Sequence, residues 1–294
     1  MSVHVMNKSP IIEAGFLQPL TALLSFNDRE VQYHAIATLG NLALGSQKNH
    51  LTIFRTGVVH SIKELVLEAS ESVQGEMARC VACLASNGVY PPLDRPSYLV
   101  SFSQDELKGQ LLKMGICEVL IPLTNSLSPD VQDPGSHALR SLSSRGNRTA
   151  SDDYSAFNKV WDEPEGGMHN YLYRFLTSPN GDRRRVAFWT IIDLLESGDH
   201  QLIGNIHSSP LLPHHIRKLT ALDNSAHPPS VGVPRYGYSG QEMDEILGLP
   251  GEIQLLFKGV LGFIDIGGDA GLSTAVGSAE KGPDVFPPYP QSSA

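Results

Sequence analysis

The sequence predicts an all-α, right-handed superhelical solenoid of about four repeats, followed by a largely disordered C-terminal tail. Three observations predict it. Glycine-led apolar segments recur along the chain. A Val-Gln pair follows three of those glycines at one constant distance. A Gly/Pro-rich composition then sets in beyond residue 221.

The segments start at Gly15 (GFLQPLTALL), Gly57 (GVVHSIKELV), Gly115 (GICEVLIPL) and, more weakly, Gly167, which is followed by Tyr171-Leu172 and Phe175-Leu176. Their apolar residues recur at helical rather than strand spacing. Val31-Gln32, Val73-Gln74 and Val131-Gln132 each open a longer helical stretch, over 33–44, 75–85 and 136–143. Gly15 and Gly57 are 42 residues apart, and the later spacings are 58 and 52. A period near 42 implies a unit of two or three helices. Such a unit cannot bury its own apolar face, and stacking on neighbours builds a continuous core. Leu23, Leu39 and Leu42 are expected to point into that core. Residues 88–103 hold the surplus of the second spacing as an irregular, three-proline insertion, because proline breaks a helix. The surplus of the third spacing is expected as a loop over 151–161. The chain thus divides into a lead-in (1–10), the repeats (11–220) and a tail (221–294), with a closing helix ending the repeats.

Composition narrows the function. The 294 residues carry a formal net charge of −9, and residues 222–294 contribute nine acidic against three basic side chains. No basic stripe exists to bind phosphates, so nucleic acid is not the expected ligand. Three cysteines form no disulfide framework. No secretory signal or spanning segment is expected: the longest apolar island, 253–266, is broken by Lys258, Gly259 and Gly262. Position 2 is Ser2, so the sequence as written has no N-terminal acylation motif.

Residues 13–43 (EAGFLQPLTALLSFNDREVQYHAIATLGNLA) resemble the armadillo repeat. Residues 61–68 (SIKELVLE), 105–123 (DELKGQLLKMGICEVLIPL), 146–155 (GNRTASDDYS), 168–178 (MHNYLYRFLTS) and 194–212 (LLESGDHQLIGNIHSSPLL) look like the C-terminal half of the fungal vacuolar protein 8 family. The resemblance covers residues 11–219. It implies a non-enzymatic scaffold on the cytosolic face of the vacuole membrane, with vacuole-inheritance adaptors, nuclear-envelope proteins and selective-autophagy factors as partners. The family carries further repeats and a lipidated segment upstream. Membrane attachment is expected only if such a segment is supplied; without it the chain would be cytoplasmic. A different reading is a truncated or mis-spliced product, which keeps the repeat fold without anchoring or scaffold activity.

The resemblance also implies a binding groove lined by the third helix of each repeat. There an Asn, with an aromatic residue four positions earlier, grips a peptide backbone; an amide offers both donor and acceptor. The Asn positions are occupied by Asn41, Cys83, Ser141 and Asp193, and the aromatic positions by Ala37, Arg79, His137 and Trp189. Only Asn41 and Trp189 keep the pattern. Helical or irregular partner segments are therefore expected rather than a basic extended peptide. Asn41 is alternatively a capping residue, and Trp189 alternatively a core residue.

No catalytic constellation, cofactor site or metal site is expected. Cys80 and Cys83 form a lone C-x-x-C pair better suited to core packing. His214 and His215, being adjacent on a helix, face different ways. Arg183, Arg184 and Arg185 are the sharpest charge cluster, expected as a solvated helix end or, alternatively, a contact for an acidic surface.

Overall fold

A computed structural model describes residues 5–44, 47–86, 105–144, 154–162 and 166–221, and no strand occurs among them. The segments expected as an insertion (88–103) and as a tail (222–294) lie outside the described residues.

The repeating unit has three helices. First helices are α1 (Val5–Glu13), α4 (Gln47–Phe54), α7 (Asp105–Lys113), α10 (Ser155–Lys159) and α13 (His200–Ser208). Second helices are α2 (Leu17–Ala22), α5 (Val58–Leu65), α8 (Cys117–Leu123), α11 (Met168–Leu176) and α14 (Leu212–Ala221). Third helices are α3 (Arg29–Ala43), α6 (Glu71–Ala85), α9 (Pro129–Ser143) and α12 (Gly181–Leu195). Among the described residues, four complete repeats are therefore followed by two helices of a fifth, rather than by one closing helix.

The register is strict. Each third helix has 15 residues, and all four start at the same offset from their repeat glycine. The residue just before the helix is Asp28, Ser70, Ser128 or Asn180, and all four are extended. Short polar side chains favour this position because they can accept from the orphan amides of the first turn. Asp28 accepts from the amides of Glu30 (2.9 Å) and Val31 (3.2 Å). Asn180 accepts from those of Asp182 (2.8 Å) and Arg183 (3.3 Å). The helices thus begin a few residues earlier than the Val-Gln pairs suggest.

The glutamines have a structural task. Gln32 donates to the Leu24 carbonyl and Gln132 to the Thr124 carbonyl, both at 3.0 Å, at the C-terminal ends of the preceding second helices. Arg184 takes this position in the fourth repeat and donates to the Ser178 (2.6 Å) and Pro179 (2.9 Å) carbonyls. Arg184 is buried, and Arg183 reaches Asp133 at 2.8 Å. Arg185 pairs with Asp182 at 2.9 Å. Each arginine of the cluster thus has a partner, Arg183 across the seam to the third repeat and Arg184 and Arg185 within the fourth, so the cluster is not a plain solvated helix end. A second cationic device recurs in the first helices. Lys108 donates to the Ser144 carbonyl at 3.0 Å, and Lys8 donates to the Leu44 carbonyl. Each ammonium meets the negative end of its repeat's third helix, where a cation is favoured.

Two turn expectations are corrected. Gly15, Gly57 and Gly115 hold positive φ, but in the fourth repeat Gly166 (φ 101°) does so, and Gly167 precedes α11 with φ −53°. Part of the loop expected over 151–161 is helix α10, because Tyr154, Phe157, Val160 and Trp161 supply buried apolar contacts.

One core cluster runs through the repeats and includes Leu39 and Leu42. Leu23 does not join it: it is 38% exposed, and Leu24 is buried in its place. A 3-10 turn over Leu23–Ser25 ends the second helix there. The corresponding residues Leu123 and Phe175 are buried in the third and fourth repeats. The third helices stack in order, α3 on α6, α6 on α9 and α9 on α12. Gly75 sets the closeness of α6 to α9: a Cβ there would lie 2.1 Å from the Asp130 carbonyl oxygen.

Candidate functional site

The candidate site is the row formed by α3, α6, α9 and α12. Its eight expected residues fall at two fixed register positions, one helical turn apart on each third helix. The register brings two of the eight together, the Arg79 guanidinium donating to the Ala37 carbonyl at 3.5 Å, and sets others against neighbouring third helices. Arg79 of α6 lies over Gly40 of α3, with its guanidinium 3.2 Å from where a Cβ would stand. Further along the array, the Arg140 guanidinium of α9 lies 5.8 Å from the centre of the Trp189 ring of α12. A cation over an indole face is attractive, more so when both are shielded from water.

Exposure divides the eight. Ala37, Asn41, Arg79 and His137 are half-exposed, whereas Cys83, Ser141, Trp189 and Asp193 are buried. Half of the expected lining thus lies beneath the surface. Asn41 makes no side-chain hydrogen bond among the described residues, and Leu44, not Asn41, is the C-cap of α3.

The charges of this face are largely matched within it. Glu76 pairs with Arg79 one turn away, and Asp133 bridges to Arg183 of the next repeat. Asp193 offsets the burial of Arg140, whose pKa desolvation lowers. Desolvation first, then Arg140, lowers the pKa of His137 and favours its neutral ring. The sequence reading missed these pairs. Their signal was available: Glu76 and Arg79 stand three apart on one helix face, and Asp133 and Arg183 both sit near the starts of neighbouring third helices.

Nothing here favours thiol or metal chemistry. Cys80 and Cys83 are buried, and desolvation raises both thiols above their ordinary pKa, so neither is an activated thiolate. Burial likewise pushes Cys117 up to about 12. Among the described residues no cluster has a metal-ligand arrangement, and no helix is long and apolar enough to cross a membrane. A cleft of about 100 Å³ lies among Lys63, Met114, Cys117, Glu118 and Lys159. Lys63 there donates to the Met114 carbonyl (2.8 Å) and pairs with Glu118 (3.0 Å), tying the second repeat to the third.

Three-helix units with a common register, stacked through their third helices, give this chain an armadillo-type solenoid fold. The Armadillo/beta-catenin-like repeat family matches residues 4–44. An engineered protein of known structure superposes with a TM-score of 0.60 at 23% identity, over 90% of this chain and 86% of that one. A designed armadillo repeat protein, solved in complex with the peptide (KR)4, superposes at 0.59 and 19% identity, over 88% and 86%. In sequence the chain is homologous to the fungal vacuolar protein 8 proteins. It is 42% identical to vacuolar protein 8 of Schizosaccharomyces pombe over 224 residues, which is 76% of this chain and 37% of that protein. It is 35% identical to that of Saccharomyces cerevisiae over 220 residues, or 74% and 34%. The chain thus spans about a third of the length of these relatives.

Proposed function

We propose that the chain is a non-enzymatic, protein-binding scaffold that works at the vacuole and presents the row of third helices to its partners. The observation that carries this reading is the row itself: four helices of equal length in one register, with neighbouring charges already paired. Homology to vacuolar protein 8 supports the vacuolar setting. The partner classes are inheritance adaptors, nuclear-envelope proteins and autophagy factors.

In this reading Ala37, Asn41, Arg79 and His137 touch the partner. Cys83, Ser141, Trp189 and Asp193 hold the helices that present them. A face whose ion pairs are internally satisfied offers little net charge to a run of lysines and arginines. It suits an amphipathic or irregular segment, whose apolar residues supply most of the affinity.

The test uses the full chain carrying a fluorescent tag in a fungal cell with a marked vacuole membrane. Tagged protein captured from those cells is compared with Asn41→Ala and Arg79→Ala variants. Co-localisation with the marker is expected, as is loss of at least one captured partner in both variants. A diffuse signal, or identical partners in all three proteins, would overturn the proposal.

A further inference from the structure

Large apolar side chains are exposed at one matching place in the first three repeats. Phe26, Leu67 and Leu127 each fall in the loop between a second and a third helix, and Leu127 is completely exposed. A single exposed leucine is ordinary on a protein surface. Its return in the same loop of three successive units is not scatter. The third helices set these loops side by side. Gly75, near the start of α6, lies against Asp130 in the first turn of α9. Like ends of the third helices therefore adjoin, and the loops leading into them follow one edge of the array. The exposed charges of that edge are Asp28, Glu30, Glu68, Glu71 and Asp130, against Arg29 alone. None of the six enters an ion pair among the described residues. The fourth repeat differs: Pro179 precedes the cap residue Asn180, and the carboxylates Asp133 and Asp182 are paired with Arg183 and Arg185.

We propose that this edge of the first three repeats is a second docking surface, and that its partner is an amphipathic helix rich in lysine and arginine. The surface needs no contribution from the row of third helices. Charge complementarity selects the sign of the partner. Five carboxylates against one cation repel an acidic segment or an anionic lipid surface and attract a basic one. The helix dipole favours the carboxylates of the first turns, but it gives no reason for exposed apolar side chains beside them. Spacing selects the shape of the partner. Neighbouring packed helices lie ~8–10 Å apart, so the three apolar residues form a line with about that step along α3, α6 and α9. An α-helix rises ~1.5 Å per residue, so its side chains seven apart share a face at steps of ~10.5 Å. A helix laid along the edge thus meets each repeat with one apolar residue and holds its cations within reach of the carboxylates on either side. Burial of Phe26, Leu67 and Leu127 supplies the affinity, and the charges supply orientation and speed of encounter.

The test titrates the full-length chain into a fluorescent peptide of lysine, alanine and leucine, with its leucines at heptad spacing on one helical face. The same peptide with glutamate for lysine is the comparison. The lysine peptide is expected to bind, and the glutamate peptide at least about tenfold more weakly. The paired change Leu67→Ser, Leu127→Ser should weaken the lysine peptide about tenfold. The paired change Glu68→Gln, Glu71→Gln should weaken it about fivefold. Leu211→Ser, which alters an exposed leucine between α13 and α14, should leave it unchanged. No binding of the lysine peptide, equal affinity for both peptides, unchanged binding in either edge variant, or an equal loss in the Leu211 variant would overturn the proposal. p-Benzoylphenylalanine at the centre of the lysine peptide is expected to label residues 26–30, 67–72 or 125–130. Label on Ala37, Asn41, Arg79 or His137 would assign the binding to the row of third helices instead and overturn the proposal. Binding to phosphatidylserine vesicles that the Leu67, Leu127 variant loses would assign the edge to a membrane and overturn it as well.

Discussion

The first and fourth repeats follow one register, yet bury their apolar residues differently. In the first, Phe16 is 55% exposed and Leu23 is 38% exposed. Their counterparts in the fourth, Met168 and Phe175, are 0% and 2% exposed. Residue type does not explain the contrast, because all four are large and apolar. The neighbouring repeat does. The position of Phe16 is filled by the buried Val58, Ile116 and Met168 in the three later repeats, each of which has a repeat before it, whereas among the described residues no repeat precedes the first. α12 buries Val186 to Leu194 without interruption, whereas α3 leaves Tyr33 and His34 exposed. In a solenoid, burial is a property of the interface between units rather than of one unit's sequence.

The contrast can be broken most strongly at Trp189. Trp189→Ala removes a buried indole and the partner of Arg140, and is expected to cost about 3–5 kcal/mol. Phe16→Ala, at the exposed end, is expected to stay within about 0.5 kcal/mol. Chemical denaturation of the two variants would check both. A Phe16 effect as large as that of Trp189 would mean that the N-terminal side is covered. The next effect is expected at the seam between α6 and α9. Gly75→Ala should cost about 1–3 kcal/mol, because the new methyl group meets a backbone oxygen and forces the helices apart. Gly40→Ala meets only the end of the Arg79 side chain. It should be neutral or even gain some tenths of a kcal/mol, since alanine is the better helix former. Lys108→Ala should cost about 1–3 kcal/mol by leaving the end of α9 without its donor. Thermal melts would place it near Gly75→Ala and well below Gly40→Ala in stability.

The smallest expected effect is that of pH. His50 and His137 are both held below the ordinary imidazole value of 6.5, chiefly by desolvation. A histidine whose folded pKa is depressed binds protons more readily when unfolded. Its stabilising contribution is therefore present above pH 6.5 and fades as the pH falls through the folded-state value. Melting temperature should decline between pH 7 and pH 5, and less so in His50→Gln, provided that variant keeps the bond to the Ala43 carbonyl. A melting temperature that rises on acidification would contradict this.

Much of this was legible in the sequence, for definable reasons. The repeat glycines and the Val-Gln pairs are local signals. Each reflects a turn or a helix-end hydrogen bond formed within one unit, so the period and the third helices could be read directly. The capping residues Asp28, Ser70, Ser128 and Asn180 were an equally regular signal that went unused. What could not be read depends on contacts between units. Leu23 looks like any core leucine until the 3-10 turn that buries Leu24 in its place is seen. Tyr154 and Phe157 look like loop residues until α10 is found packed on the core. Arg183, Arg184 and Arg185 look like a solvated run, but each has a different partner. The candidate site shows the same division. Spacing put all eight residues on the third helices, at two positions one turn apart. It could not tell that Ser141 and Asp193 would be buried while Asn41 and Arg79 would not.

Amide hydrogen exchange of the full-length chain tests the central claim most directly, namely that neighbouring units decide protection along an otherwise uniform array. The account predicts slow exchange across α6, α9 and α12, and faster exchange across α1, α2 and the exposed side of α3. Equal protection of α3 and α12, or faster exchange in α12 than in α3, would contradict it.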